Sequence, residues 1–417
     1  MPSSLCFVML LVLASVMLSG CGRHEPRVEH SMTTSNVAKA QISVERSPDS
    51  PIAYVNLATV LLKEARKTGD FSLTMKAEEA TTRALELDPA DIPARKLEAS
   101  LHLANHRFSE AIVAASKLRD ELSSDSFVYG VLTDAYMETG DYAQAVTAAQ
   151  KMVDLKPGTA SYSRVAQIRS LHGDHAGAVE MFIQAARASD PNDKETRGWC
   201  LVQVGDEYWK NGKYAEAEKV YDEALTNFPG YFLAQVSKGR VRASSGDHAT
   251  AERLLIEAQA QLPNANAALL LGDIYALSGD IGRASAQYDK FDRIQEELGD
   301  AADHKRLVIS WADRGKVDKA LEMALSEYAA EKSIHSADLL AWCLFKAGRP
   351  AEARPFMQEA MRLGTNDARM LFHAGMIAKA NNERREAKQL LSRALKLNPE
   401  FDLIQANEAR VALNDLQ

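Results

Sequence analysis

The side chains that could do chemistry in this chain are few, and their spacing argues against most of the chemistry they could do. His102 and His106 stand four residues apart, which puts two imidazoles on one face of a helix, the spacing of a two-histidine metal pair. No Glu or Cys completes a ligand set around them, so no metal is expected. His172 and His175 flank Gly173-Asp174 and read as solvated turn residues. The cysteines are Cys6, Cys21, Cys200 and Cys343, with no disulfide framework in their spacing. Cys200 and Cys343 fall on separate predicted helices, too far apart for the geometry of a bridge, and read as small packing residues. A nucleophile with a positioned base and an oxyanion site calls for a strand-turn-helix scaffold, and no segment has that pattern. Gly279-Asp280-Ile281-Gly282 comes nearest to a phosphate-cradling loop, but a repeat accounts for its glycines. Neither catalysis nor a cofactor is expected.

The elements that would position such residues are helical. Hydrophobic residues make up 46% of the 417 and charged residues 25%, and much of the apolar share is Ala, a strong helix former. A net charge of -8 argues against nucleic acid as the main partner, because phosphate binding needs a basic face.

Leu5 to Leu18 is an apolar run interrupted only by Cys6 and Ser15, and it ends in Leu18-Ser19-Gly20-Cys21. That is too short to span a bilayer and suits the core of a signal peptide. The segment resembles the lipobox of bacterial lipoproteins, although Met1 to Leu5 lacks the usual Lys or Arg. The resemblance implies that residues 1–20 are removed, that Cys21 becomes a lipidated N-terminus, and that the protein is lipid-anchored in the cell envelope. Gly22 after the cysteine implies the periplasmic face of the outer membrane in a Gram-negative cell. Residues 21–50 are polar, with Pro26 and Pro48, and read as a flexible tether with a short helix around Val37 to Val44.

One alanine recurs through the rest of the chain: Ala77, Ala111, Ala145, Ala178, Ala217, Ala251, Ala284, Ala320, Ala353 and Ala387, at separations of 34, 34, 33, 39, 34, 33, 36, 33 and 34 residues. Five residues before most of them stands a residue able to adopt positive φ, from Gly140 through Gly348, with Asn382 in the last unit. Asp follows that glycine in four units, where its carboxylate can cap the next helix. Pro89, Pro157, Pro229, Pro263 and Pro399 would stop the second helix of their units. His106 replaces the turn glycine of the second unit, Asn192 to Arg197 lengthen one junction, and Pro355 predicts a kink.

Tyr129, Leu132, Tyr136, Ala145 and Pro157 in one unit, and Leu201, Val204, Gly205, Tyr208, Ala217, Tyr221, Ala224 and Pro229 in another, resemble the pattern of the tetratricopeptide repeat. Small residues at Gly205, Gly239, Gly272, Ala341 and Gly375 fit its close contact between paired helices. The resemblance implies an all-α, right-handed α-solenoid of about ten helix-turn-helix units over 51–400: 51–89, 90–124, 125–157, 158–191, 195–229, 230–263, 264–299, 300–333, 334–366 and 367–400. A capping helix is expected over 401–417.

The resemblance further implies a concave groove lined by the first helix of each unit. The positions facing it are Asp134, Gln167, Asp206, Arg240, Asp273, Trp342 and Met376, with Trp209 nearby, a set suited to an extended peptide or partner helix with aromatic anchors. The expected function is a non-catalytic protein-protein interaction scaffold, binding another protein or peptide and tethered to the membrane through its lipid anchor. The alternatives are a regulatory subunit of an envelope enzyme, or a groove that takes a glycan or lipid on Trp209 and Trp342.

Overall fold

A computed structural model of the protein describes residues 29–70, 72–261, 263–299 and 302–416. Residues 1–28, with Cys21 and the signal segment, lie outside them. All the regular structure among the described residues is helical, in 22 helices. Helix α1 spans Glu29–Arg46 and is followed by ten antiparallel pairs. The first five pairs are α2 Pro51–Thr68 with α3 Ser72–Leu87, α4 Ile92–Ala104 with α5 Phe108–Glu121, α6 Ser126–Thr139 with α7 Tyr142–Leu155, α8 Thr159–Leu171 with α9 His175–Ala188, and α10 Lys194–Lys210 with α11 Tyr214–Asn227. The second five are α12 Phe232–Ser244 with α13 His248–Gln261, α14 Ala265–Leu277 with α15 Ile281–Leu298, α16 His304–Asp313 with α17 Val317–Ala330, α18 Ile334–Lys346 with α19 Pro350–Ala360, and α20 Ala368–Ala380 with α21 Arg384–Leu397. Helix α22, Gln405–Asn414, closes the stack.

Local rules set these boundaries. Helices α3, α7, α11, α13 and α21 each stop two residues before a proline, because the residue preceding proline is pushed out of helical conformation. Gly140, Gly173, Gly246 and Gly279 all take φ between +77 and +82, and the Asp after each accepts a backbone N–H from the next helix. At Gly205 a Cβ would sit 2.3 Å from the Tyr221 ring, and at Gly272 2.5 Å from the Tyr288 ring, so paired helices touch where the sequence places no side chain. All ten recurring alanines are buried. Helix α19 carries Pro355 within it and runs eleven residues, against fourteen in most second helices.

Two features depart from the sequence reading. The segment expected to be a tether is helical from Glu29 to Arg46, and Val37 and Ala40 pack α1 onto the first pair. His106 holds the turn glycine's left-handed conformation at φ +55, with its ring stacked 6.4 Å from that of His304.

The coil also closes on itself. Antiparallel pairing places every turn within a pair on one edge of the ribbon and every connection between pairs on the other. The turn of the second pair meets the connection that follows the seventh, through the His106–His304 stack, and the turns of the third, fourth and fifth pairs meet the connections that follow the eighth, ninth and tenth, five repeats further along. Tyr142 accepts a hydrogen bond from the Ile334 backbone N–H (2.8 Å), and Arg362 donates to the carbonyls of Gly140 (3.3 Å) and Lys332 (2.8 Å). Thr365 donates to the Leu171 carbonyl, and His175 to that of Asn366 (2.7 Å). Asn398 donates to the Trp209 carbonyl (2.8 Å) while its side-chain oxygen accepts from Tyr214. Met137, Tyr142 and Leu171 share one buried cluster with residues of the last four pairs, so the seam is part of the core.

Candidate functional site: the lumen of the closed coil

The first helices of the pairs face inward, and the seam borders a lumen holding two neighbouring cavities that open to solvent. Arg306, Ile309 and Arg369 line both.

The larger cavity, about 200 Å³, is built on α10, α12, α14 and α16, with Lys346 of α18, Arg369 of α20 and the segment leading into α22 completing its wall. Asp206 accepts from Arg240 (2.5 Å) and from the Tyr221 hydroxyl (2.6 Å). The Arg240 guanidinium lies 4.2 Å from the centre of the Trp209 ring, and the Trp209 indole N–H donates to Ser244 (3.0 Å). Asp273 accepts from the Tyr288 hydroxyl (2.9 Å). Burial and the nearby Asp402 carboxylate push the Asp273 carboxyl up to about 7. Asp402 itself takes a hydrogen bond from Arg369 and two from the backbone N–H groups of Ile404 and Gln405, and despite its burial it is held below the usual carboxylate range.

The smaller cavity, about 130 Å³, follows the seam. Its wall carries the buried Glu207, which accepts from Lys210 (2.6 Å), Ser170 (2.8 Å) and His175 (2.7 Å). His175 donates from its other nitrogen to the Asn366 carbonyl, so the imidazole serves as a double donor. Burial opposes the charge on His175, but Glu207 and the Asn366 carbonyl raise it above its ordinary pKa. Lys305 bridges Glu138 (2.9 Å) and Glu331 (2.8 Å) across the seam.

Of the eight residues read as facing a groove, Asp206, Trp209, Arg240 and Asp273 line the larger cavity and Gln167 lines the smaller. The other three do not line either. Asp134 forms a buried ion pair with Arg164 (2.5 Å), which also donates to the carbonyls of Gly130 and Ala160. Trp342 is 1% exposed, donates to Asp313 (2.9 Å) and stacks on His373 with 4.0 Å between ring centres. Met376 is half-buried against the core. Trp342, expected as an aromatic anchor facing the groove, is instead a core residue. Trp209 is only 4% exposed, and neither tryptophan offers a stacking platform to a glycan. Trp342 is enclosed by Asp313, Phe345, Phe372 and His373, and Trp209 by Arg240 and Ser244.

Sequence reasoning missed the seam residues Tyr142, Tyr214, Thr365 and Asn398. The available signal was a tyrosine immediately after two of the Gly-X turns, where an exposed turn has no use for a large ring.

Cys200 and Cys343 are buried free thiols, and burial pushes Cys343 up to about 12, which keeps it unreactive. Among the described residues no three His, Cys, Asp or Glu side chains are grouped so that they could hold a metal, and no helix is long and apolar enough to cross a membrane.

Ten stacked helix pairs around a lumen lined by charged and apolar side chains define an α-solenoid. Three sequence models, each described as tetratricopeptide repeat, match residues 205–258 and 236–298, 368–401, and 335–359. Residues 205–298, 335–359 and 368–401 are thus tetratricopeptide repeats within this solenoid. No curated protein sequence matches the chain. Among solved structures it is similar to a tetratricopeptide repeat protein from Parabacteroides merdae (16% identity, 62% of this chain and 98% of that one, TM-score 0.37). It is also similar to the Cut9-Hcn1 hetero-tetramer of the APC/C (15% identity, 92% and 88%, TM-score 0.40) and to yeast Tom70 (14% identity, 93% and 93%, TM-score 0.39).

Proposed function

We propose that the protein is a non-catalytic scaffold, held at the bacterial cell envelope by a lipid on Cys21, that binds another protein along the free edge of its coil. The observation that carries the scaffold reading is the division of that edge. Gly140, Gly173 and Gly212 abut the chain's own backbone, whereas Gly246, Gly279, Gly315 and Gly348 have open space around them. The turns of the sixth to ninth pairs are thus the same kind of surface left unoccupied. Leu277 (45% exposed) and Ile281 (69% exposed) flank Gly279 there and supply an apolar contact. The tether rests on the apolar run from Leu5 and on Leu18-Ser19-Gly20-Cys21.

Crosslinking in envelope extracts tests the reading, with wild type compared against Leu277→Asp/Ile281→Asp. A specific protein captured by wild type and lost in the edge variant supports it. Capture unaffected by the variant, or no specific protein, overturns the edge assignment. Cys21→Ala should move the protein from the membrane to the soluble fraction, and retention in the membrane would remove the lipid anchor.

A further inference from the structure

The larger cavity is charged, yet its charges are not evenly answered. Arg240 is turned to Asp206 (2.5 Å), Arg314 to Asp292 (2.5 Å) and Lys346 to Asp313 (3.5 Å), while Arg369 is taken by Asp402. Arg306 is engaged by Asn266 and Asp303. Every cation on the wall therefore has an anionic or amide partner. Apart from the exposed Glu408, Asp273 is the carboxylate of this wall without an ion pair: its hydrogen-bond partner is the neutral Tyr288 hydroxyl, and Arg369 acts on it only through its charge, without a direct contact. Burying a carboxylate without a cation is costly, and the site keeps one where it faces a void.

Four polar atoms on the same wall lack partners: the Ser310 hydroxyl, the Gln405 side-chain oxygen, and the Nε–H groups of Arg240 and Arg369, whose guanidinium ends are otherwise engaged. The Ser310 hydroxyl, on a residue 7% exposed, meets no donor or acceptor. Gln405, 4% exposed, spends its amide N–H on Asp313 (2.9 Å) and leaves its oxygen without a donor. Buried polar atoms are normally satisfied, so unmet acceptors around one cavity point to something that fills it and donates. What they lack in common is a positively charged donor of several hydrogen bonds.

We propose that this cavity binds a compact organic cation, an alkylammonium or guanidinium group, whose charge is met by Asp273 and whose remaining N–H groups are met by Ser310 and Gln405. The site is independent of the free edge on which the scaffold reading rests. Its cation would come from a small free amine or from a basic side chain of a bound peptide, and both present the same chemistry. A bound cation also favours the ionised form of Asp273, which the neighbouring Asp402 and Asp313 oppose and Arg369 assists.

Titration calorimetry of the full mature chain tests this at pH 7.5, with Trp209 emission as a second readout. The ligands are putrescine, agmatine and a capped Gly-Lys-Gly peptide, with butyramide as a neutral control. Binding of one or more of the cations and not of butyramide is expected, at least tenfold weaker in Asp273→Asn and severalfold weaker in Ser310→Ala. Asp120→Asn, at an exposed carboxylate, should bind as wild type. Asparagine keeps an acceptor for Tyr288, and an unchanged melting temperature in the variant shows that the fold is intact. Free amines that bind identify a soluble ligand, and binding confined to the peptide identifies a partner's side chain. No cation binding, equal binding in Asp273→Asn, or binding of butyramide instead overturns the proposal.

Discussion

Gly140 and Gly246 have nearly the same backbone, φ +82 and +80, and occupy the same position in their repeats, but only Gly140 lies in the seam. Substituting alanine at each separates the cost of the turn from the cost of coil closure. The left-handed conformation costs an alanine about 1–2 kcal/mol at either site. At Gly246 nothing lies within 4 Å of the new Cβ, so the cost ends there. At Gly140 the Cβ would stand 2.2 Å from the Lys332 carbonyl oxygen, and backbone cannot move aside as a side-chain tip can. The seam must open by about 1 Å to restore van der Waals contact. Arg362 then loses its bridge between the Gly140 and Lys332 carbonyls, and Tyr142 its bond from Ile334, at about 1 kcal/mol each. Gly140→Ala should therefore destabilise by about 2–3 kcal/mol more than Gly246→Ala. Urea unfolding measures the difference. Amide exchange at Ile334 should accelerate in Gly140→Ala alone, and small-angle scattering should show an expanded coil. Equal destabilisation of the two variants, with Ile334 equally protected, would refute the closed seam.

Three further outcomes follow from the same contacts. The raised pKa of His175 makes its contribution complete below its ordinary value of 6.5 and lost as pH rises through the raised one, so seam amides should exchange faster above that range, after correction for intrinsic rates, and a pH-independent seam would exclude the double-donor role. Arg164→Met strands the Asp134 carboxylate inside the protein and should cost about 3–5 kcal/mol in thermal or urea melts, most of it recovered by Asp134→Leu/Arg164→Met; a loss under 1 kcal/mol would show the pair to be solvated. Amides of residues 51–124 should exchange faster than those of 337–400, which lie mostly in the largest buried cluster, and the reverse order would contradict the packing.

How much of this was legible depends on whether a feature is local to one repeat. The recurring alanine, the Gly-Asp turns and the proline stops act within about 40 residues, where spacing in the sequence is spacing in space. They fixed the helix pairs, and through them the inward direction of Asp206, Trp209, Arg240 and Asp273. The fate of those residues turns on contacts such as His175 with Asn366, 191 residues apart, which no periodicity encodes. Trp342 misled for a related reason: the repeat pattern placed it in a groove without revealing that Asp313 and His373 would enclose it.

Closure also changes what kind of solenoid this is. In an open array each unit touches only its neighbours, and stability is close to a sum of local terms. Here the third to fifth repeats gain a second set of neighbours five repeats away, with Lys305 bridging Glu138 and Glu331 across the join. Unfolding a late repeat therefore exposes the core of an early one, which ties the two halves into one cooperative unit, while the turns of the sixth to ninth pairs take no part in the join. The proposed partner edge lies among the turns that stay outside the join, and the proposed cation site lies in the lumen that closure creates.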